Sequence, residues 1–242
     1  MPTREERLFR NDVLLSRLDA GIYSALPASA VRAAYDRKAA IYDAIVGRSI
    51  YHRIVWGTTT RRYSEFAWTA RAAAGTEPFL EIGCGSLLFS RDLYQWPAPG
   101  PTVISDRSTG MLRRAVKRLA SAAYADHRPI VLHADAASLP LVSGAFGSIL
   151  MLNVLHVPCD REAIIAECAR LLIPGRGRLF SSCLGRSGRW SDAALEFFQH
   201  AGELDVPLTH DEIIAMLTHG WGAIESSTVE GNMLFAVVRH CG

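Results

Sequence analysis

"FLEIGCGSLLFS", Phe79 to Ser90, decides the fold. An apolar strand carries one acid, Glu81, and then two glycines follow, Gly83 and Gly85, before an apolar helical pattern begins. Glycines at such a turn permit positive φ and let the backbone approach a ligand closely, which is how a nucleotide-binding turn is built. A third glycine is missing, and Leu87 stands in its place. Taken alone, two alternating glycines also describe a plain turn. Glu81 adds direction. A dinucleotide turn offers its helix amino terminus to a pyrophosphate, which a neighbouring carboxylate would repel. The acid therefore points to a ligand that carries an ammonium group.

Working outward, the chain alternates strand and helix from Pro78 on. "TVISD" reads as a second strand, "STGMLRRAVKRLASAAYA" as a helix, "PIVLHAD" as a third strand and "FGSILMLNV" as a fourth, apolar enough to be covered on both faces. "DREAIIAECARLLIPG" reads as a helix capped by Asp160 and ended by Pro174 and Gly175, and "GRLFSSCLG" as a fifth strand. This order predicts an α/β protein with a doubly wound parallel sheet. Near the end, the helix "HDEIIAMLTHG" precedes two strand-like runs joined through Gly231 and Asn232, which predicts an antiparallel hairpin. Before Pro78 no strand is predicted. "PASAVRAAYDRKAAIYDAIVG" and "EFAWTARAAAG" read as helices, so residues 1–75 are expected to form a helical cap and 76–242 the core.

Acids recur at the strand ends. Asp106 closes the second strand 25 residues after Glu81, where an acid grips ribose hydroxyls in doubly wound folds; as an alternative it caps the helix near Ser108. Asp135 follows the third strand, placed to accept from an adenine amino group, with Leu139 and Pro140 as walls. Three successive strands ending in acids at one sheet edge favour the binding reading for all three.

"FLEIGCGS", "VISDRSTGMLRRA", "HADAASLPLVSGAFGSILMLNVLHV" and "ARLLIPGRGRLF" together resemble a class I S-adenosylmethionine-dependent methyltransferase over about residues 78–240. "YDRKAAIYD", Tyr35 to Asp43, resembles the helix before the core in methyltransferases of the ubiquinone/menaquinone-biosynthesis type. The resemblance implies a Rossmann-like seven-stranded sheet with an antiparallel last strand, and S-adenosylmethionine as cofactor with S-adenosylhomocysteine as product. It implies that Glu81, Gly83 and Gly85 surround the methionine portion and Asp106 the ribose. Asp135 and Ala136 would meet adenine with Arg107 flanking the ring, and Asn153 would border the reacting methyl. Tyr35 and Tyr42 would close the site. Two positions depart from the family pattern: Leu87 for its third glycine, and Gly147 for the acid that commonly follows the aromatic of "AFGS".

A sulfonium methyl is intrinsically reactive, so alignment of an acceptor supplies much of the rate. A base is needed only where the acceptor must lose a proton. His156 is the leading candidate, with Tyr42, Tyr51, His52 and His200 behind it, and a purely structural histidine is the competing reading. "GRWSDAALEFFQHAGELDVP" lies between the fifth strand and the next helix, and the resemblance implies that such an insertion, together with the amino-terminal helices, covers the acceptor. Trp190, Phe197, Phe198, Trp56 and Trp68 would line an apolar acceptor pocket in one reading and pack the core in the other. The expected acceptor is a small, hydrophobic or aromatic molecule. The same fold and cofactor also serve cyclisations or rearrangements, and a binding protein without turnover is a third reading.

Bulk composition agrees. A net charge of +2 over 242 residues is too small to imply a nucleic-acid partner, and 49% hydrophobic against 21% charged residues describes a globular protein with a sizeable core. Five cysteines without a C-x-x-C pair predict reduced thiols, no zinc site and a cytoplasmic protein. No apolar run reaches the length of a membrane span, and the amino terminus lacks a signal-peptide core.

Overall fold

The computed structural model describes residues 6–19, 21–26, 52–120, 128–157, 159–188 and 190–242. Tyr35, Tyr42 and Tyr51 lie outside these residues, as does the predicted helix of 29–47.

A helix α1 (Thr60–Ala74) opens on Thr59, whose side chain accepts from the Arg62 N–H, and stops at Gly75 with φ +57°. Then come β3 (Phe79–Ile82), β4 (Thr102–Asp106), α2 (Thr109–Leu119), β5 (Ile130–His133), β6 (Ser148–Leu152), α3 (Arg161–Leu171) and β7 (Arg178–Leu184). Helices α4 (Asp192–His200) and α5 (His210–Thr218) precede the hairpin of β8 (Gly222–Glu230) and β9 (Met233–His240). Asp160 caps α3 through the Ala163 N–H, as its sequence predicts.

The seven strands from β3 to β9 follow the predicted order, but among the described residues the sheet has nine. Two short strands precede α1: β1 (Ser16–Asp19) and β2 (Ile22–Ser24), turned at Gly21 with φ +88°. The sheet runs β1-β2-β5-β4-β3-β6-β7-β9-β8, parallel from β2 to β7, with β9 antiparallel to β7. This corrects the expectation of no strand before Pro78. "SRLD" and "IYS" are too short and too polar to signal a strand, and it is the open edge of β5 that recruits β2 by pairing Ile22 with Val131.

A second correction concerns the stretch after the glycines. No α-helix follows Gly85; residues 86–90 form turns and Arg91–Gln95 a 3₁₀ helix. Leu87 explains the break. It is fully buried, and its backbone sits at φ +60°, the left-handed region that the absent third glycine would occupy freely. Gly147, the other departure, has a packing reason. A Cβ there would lie 2.8 Å from Glu77 Cβ and 3.2 Å from the Ala74 carbonyl oxygen, so the start of β6 closes tightly on the end of α1.

Period-two alternation divides β3 and its neighbours between two cores. Phe79, Ile104, Leu150 and Phe180 face the side where α1 and α2 pack with Tyr63, Phe66 and Leu112. Leu80, Ile82, Val103 and Ile149 face α3 and α5 with Ile164, Cys168 and Leu217. Fully burying such side chains stabilises the fold by roughly 1.5–3 kcal/mol each. Strand order reverses at β3, with β4 on one side and β6 on the other. A crevice therefore opens beyond their carboxyl ends.

Candidate active site

A cavity of about 440 Å³ fills that crevice, within the size range that encloses a small-molecule ligand. Glu81, Gly83, Gly85, Asp106, Arg107, Asp135, Ala136 and Asn153 all line it, so eight sequence-derived candidates meet in one place.

The floor is Glu81, which shares the Phe79 face of β3 and is only 2% exposed. Its Oε1 accepts from Ser90 Oγ at 2.7 Å and its Oε2 from the Tyr94 hydroxyl. Burial pushes its pKa up to about 7, aided by the nearby Asp106 and opposed by the two hydroxyl donors. The glycines differ in what they require. Gly83 has φ +65°, and a Cβ on it would lie 2.4 Å from Val154 Cγ2; Gly85 has φ +52° with open space around it. Only at Gly83 do sterics and dihedral both demand glycine.

Asp106 sits at the end of β4. Its Oδ2 accepts from the Gly85 N–H at 2.8 Å and its Oδ1 from the Ser108 N–H at 2.7 Å. Ser108, rather than Asp106, caps α2, through the Met111 N–H. Asp106 thus braces the glycine loop and keeps a lone pair on each oxygen for hydroxyl groups of a ligand. Burial raises its pKa against three backbone hydrogen bonds. Asp135 accepts from the Ala137 N–H at 3.0 Å and pairs with Arg107 at 3.6 Å on the cavity rim. Asn153, directly after β6, has φ +60°, a region that asparagine tolerates better than most residues. Its N–H donates to the Ser182 carbonyl at 3.0 Å, and Ser182 Oγ donates to its Oδ1 at 3.2 Å.

His156 is placed elsewhere. It faces a separate void of about 10 Å³, with Arg161, Cys183 and Leu184. Its Nδ1 accepts from the Leu184 N–H at 3.1 Å, and burial together with the Arg161 charge pulls its pKa down to about 3. A buried imidazole held neutral at one nitrogen by a strand amide is a structural group, which corrects its reading as a base. Nor do the predicted aromatics line the cavity. Trp56 is buried against Phe198 with ring centroids 6.0 Å apart, while Trp190 and Phe197 are 66% and 69% exposed. The apolar wall comes instead from residues that the sequence did not single out, including Phe89, which stacks on Tyr63 at 4.5 Å, and Leu88, Val157 and Ile164. The insertion does reach the site, through Gly202 and Glu203.

A buried carboxylate at the floor, a glycine whose positive φ and close approach to Val154 disfavour a side chain, and two further acids at the ends of β4 and β5 fit the ammonium, ribose and adenine groups of S-adenosylmethionine. No group of three or more candidate metal ligands occurs among the described residues.

The family model described as a methyltransferase domain matches residues 80–180. These residues are a methyltransferase domain. Its span holds the whole run from Glu81 to Asn153. Over 156 residues the chain is 29% identical to the 27-O-demethylrifamycin SV methyltransferase of Amycolatopsis mediterranei, covering 60% of this chain and 54% of that protein. The matched stretch is thus about half the length of this curated relative. Among solved structures, a chain of the "Complex between the Haloferax volcanii Trm112 methyltransferase activator and the putative methyltransferase" aligns with a TM-score of 0.63 at 16% identity, covering 88% of this chain and all of that one. The magnesium protoporphyrin IX methyltransferase of Synechocystis PCC 6803, solved with bound SAH, aligns with a TM-score of 0.57 at 19% identity over 75% of this chain and 82% of that one. At these identities the structures share the methyltransferase domain's fold. No described helix is long and apolar enough to cross a membrane.

Proposed function

We propose that the chain transfers a methyl group from S-adenosylmethionine to a small organic acceptor bound beside β6 and the insertion. The convergence of Glu81, Asp106 and Asp135 from three adjacent strands on one cavity carries this reading. The cofactor, when bound, supplies a methyl group activated by its sulfonium. Everything else falls to the protein. Glu81 holds the ammonium, Asp106 the ribose hydroxyls, and Asp135 with the Ala136 backbone the adenine edge. Tyr35 and Tyr42 remain candidates to close the site from the amino-terminal side.

These contacts use the β3, β4 and β5 half of the crevice, leaving the half beside β6 for the acceptor. Its lining of Leu152, Val154, Val157 and Ile164 suits a hydrophobic or aromatic molecule. Such walls exclude water and align the acceptor with the methyl, a contribution that requires no base. The relatives that act on 27-O-demethylrifamycin SV and magnesium protoporphyrin IX support an organic acceptor without fixing its identity.

Calorimetric titration with S-adenosylmethionine and S-adenosylhomocysteine tests the cofactor, and an acceptor panel read by S-adenosylhomocysteine release tests the reaction. Micromolar binding and turnover on an aromatic or apolar acceptor are expected. Failure of both cofactors to bind would overturn the proposal.

A further inference from the structure

Glu81 is a carboxylate enclosed by neutral donors and by another acid. Ser90, in the turns after the glycine loop, and Tyr94, in the 3₁₀ helix that follows, donate to its two oxygens. Asp106 faces it from β4, and Cys84 stands beside both, its thiol pushed well up by burial and by the two carboxylates, so it stays neutral. From α1, the Arg71 guanidinium lies over the Phe79 ring at 5.2 Å, and its charge acts on Tyr94. None of the ion pairs among the described residues includes Glu81. Two carboxylates in one desolvated crevice repel, and a proton on the more buried one relieves that repulsion.

We propose that Tyr94 and Ser90 are positioning residues that hold the Glu81 carboxyl ready to shed a proton, so that capture of the cofactor's ammonium group is coupled to release of one proton to solvent. The inference rests on the reading that this cavity takes S-adenosylmethionine. In the free protein the proton neutralises Glu81; in the complex the ammonium group replaces it as the carboxylate's partner. Both donors favour the charged form of Glu81, whose pKa of about 7 already results from burial outweighing them. Tyr94 can serve only as a donor, because burial and Glu81 push its own ionisation well above the usual phenol range. Without these hydroxyls the acid would stay protonated through neutral pH and present no charge to the ligand.

S-adenosylhomocysteine, which keeps the amine, is the probe. Its affinity is measured calorimetrically between about pH 6 and pH 8.5 in pairs of buffers with different ionisation enthalpies, which counts the protons exchanged. Wild type is expected to release close to one proton near pH 6 and almost none at the upper end, with affinity falling about tenfold from pH 8 to pH 6. Tyr94→Phe should move the midpoint to higher pH, weakening binding several-fold at neutrality while recovering above pH 8, and Ser90→Ala should move it in the same direction. Glu81→Gln should bind weakly and flatly across the range, which separates the acid's titration from that of the ligand. Wild-type affinity independent of pH, with no proton exchanged, would overturn the coupling and leave the cofactor reading standing. A Tyr94→Phe loss equal at every pH would overturn the positioning role. No binding at any pH would overturn the cofactor reading, and this inference with it.

Discussion

Asp106 Oδ2 accepts the Gly85 N–H at 2.8 Å, tying the end of β4 to the glycine loop after β3. The same carboxylate takes the Ser108 N–H, so one side chain fixes both walls of the crevice before any ligand arrives. Asp106→Asn replaces one acceptor oxygen by an NH₂ that faces a backbone donor. Hydrogen bonds to a charged group contribute about 1.5–3 kcal/mol. The variant should unfold about 1–3 kcal/mol more easily in denaturant and bind S-adenosylhomocysteine at least tenfold more weakly; wild-type affinity would refute the ribose assignment.

The two glycines should respond unequally to alanine. Gly85→Ala incurs mainly the left-handed backbone penalty, roughly 1–2 kcal/mol. Gly83→Ala adds a 2.4 Å collision with Val154 on the loop after β6 and should abolish cofactor binding or folding. Parallel melts and titrations check the order, and equal effects would contradict it.

Leu87 carries the cost of a left-handed backbone for the sake of its buried side chain. Leu87→Ala should lose about 2–5 kcal/mol by leaving a cavity. Glycine is ordinarily worse than alanine by roughly 0.5–1 kcal/mol, but here it relieves the strained φ. Leu87→Gly is therefore expected to be at least as stable as Leu87→Ala in urea unfolding.

That residue also marks how far the sequence can be read. The acids and glycines of the site were legible because each terminates an apolar strand, and a parallel sheet brings its strand ends to one edge. Helix α3 was legible from its own cap. What lies beyond Gly85 was not: "SLLFS" has an apolar pattern that fits a helix, and nothing local reveals that Leu87 turns left-handed and carries Ser90 onto Glu81. Strands β1 and β2 exist because β5 offers an edge, a tertiary cause. His156 was misplaced for a related reason, since the turn after β6 aims it at Leu184 rather than into the crevice.

Two buried groups should oppose each other in the pH dependence of stability. His156, with its folded pKa near 3 against an ordinary 6.5, is protonated more readily when unfolded, so its contribution is lost as pH falls below about 6.5. Glu81, with its folded pKa near 7 against 4.5, binds its proton more tightly when folded. Its contribution grows as pH falls from 7 towards 4.5. Each shifts stability by up to about 1.4 kcal/mol per pH unit. Glu81→Gln should therefore steepen the loss of stability between pH 6.5 and 4.5 relative to wild type, and His156→Gln should flatten or reverse it. Denaturant midpoints at several pH values check both, and parallel curves for all three proteins would show that neither shift is present.

Asn232 in the β8–β9 turn holds the insertion that reaches the cavity through Gly202 and Glu203. Its amide donates to Asp192 Oδ1 at 2.6 Å and to the Gly185 carbonyl at 3.0 Å, while its Oδ1 accepts from Ser191. Its backbone N–H reaches the Trp56 carbonyl at 3.0 Å. A fully buried amide thus joins the hairpin to the start of α4 and to the π-helical segment His52–Trp56 before α1. Asn232→Ala leaves the Ser191 hydroxyl and the Gly185 carbonyl without their partner, at about 1–3 kcal/mol for each buried group. Hydrogen exchange across residues 187–204 should rise markedly, while the amides of β3 and β4 keep their protection. Because the carboxylates proposed to hold the cofactor sit on β3, β4 and β5, S-adenosylhomocysteine affinity should change less than about threefold, whereas acceptor KM should rise. A loss of cofactor affinity as large as the rise in acceptor KM would show that the insertion does not serve the acceptor side alone.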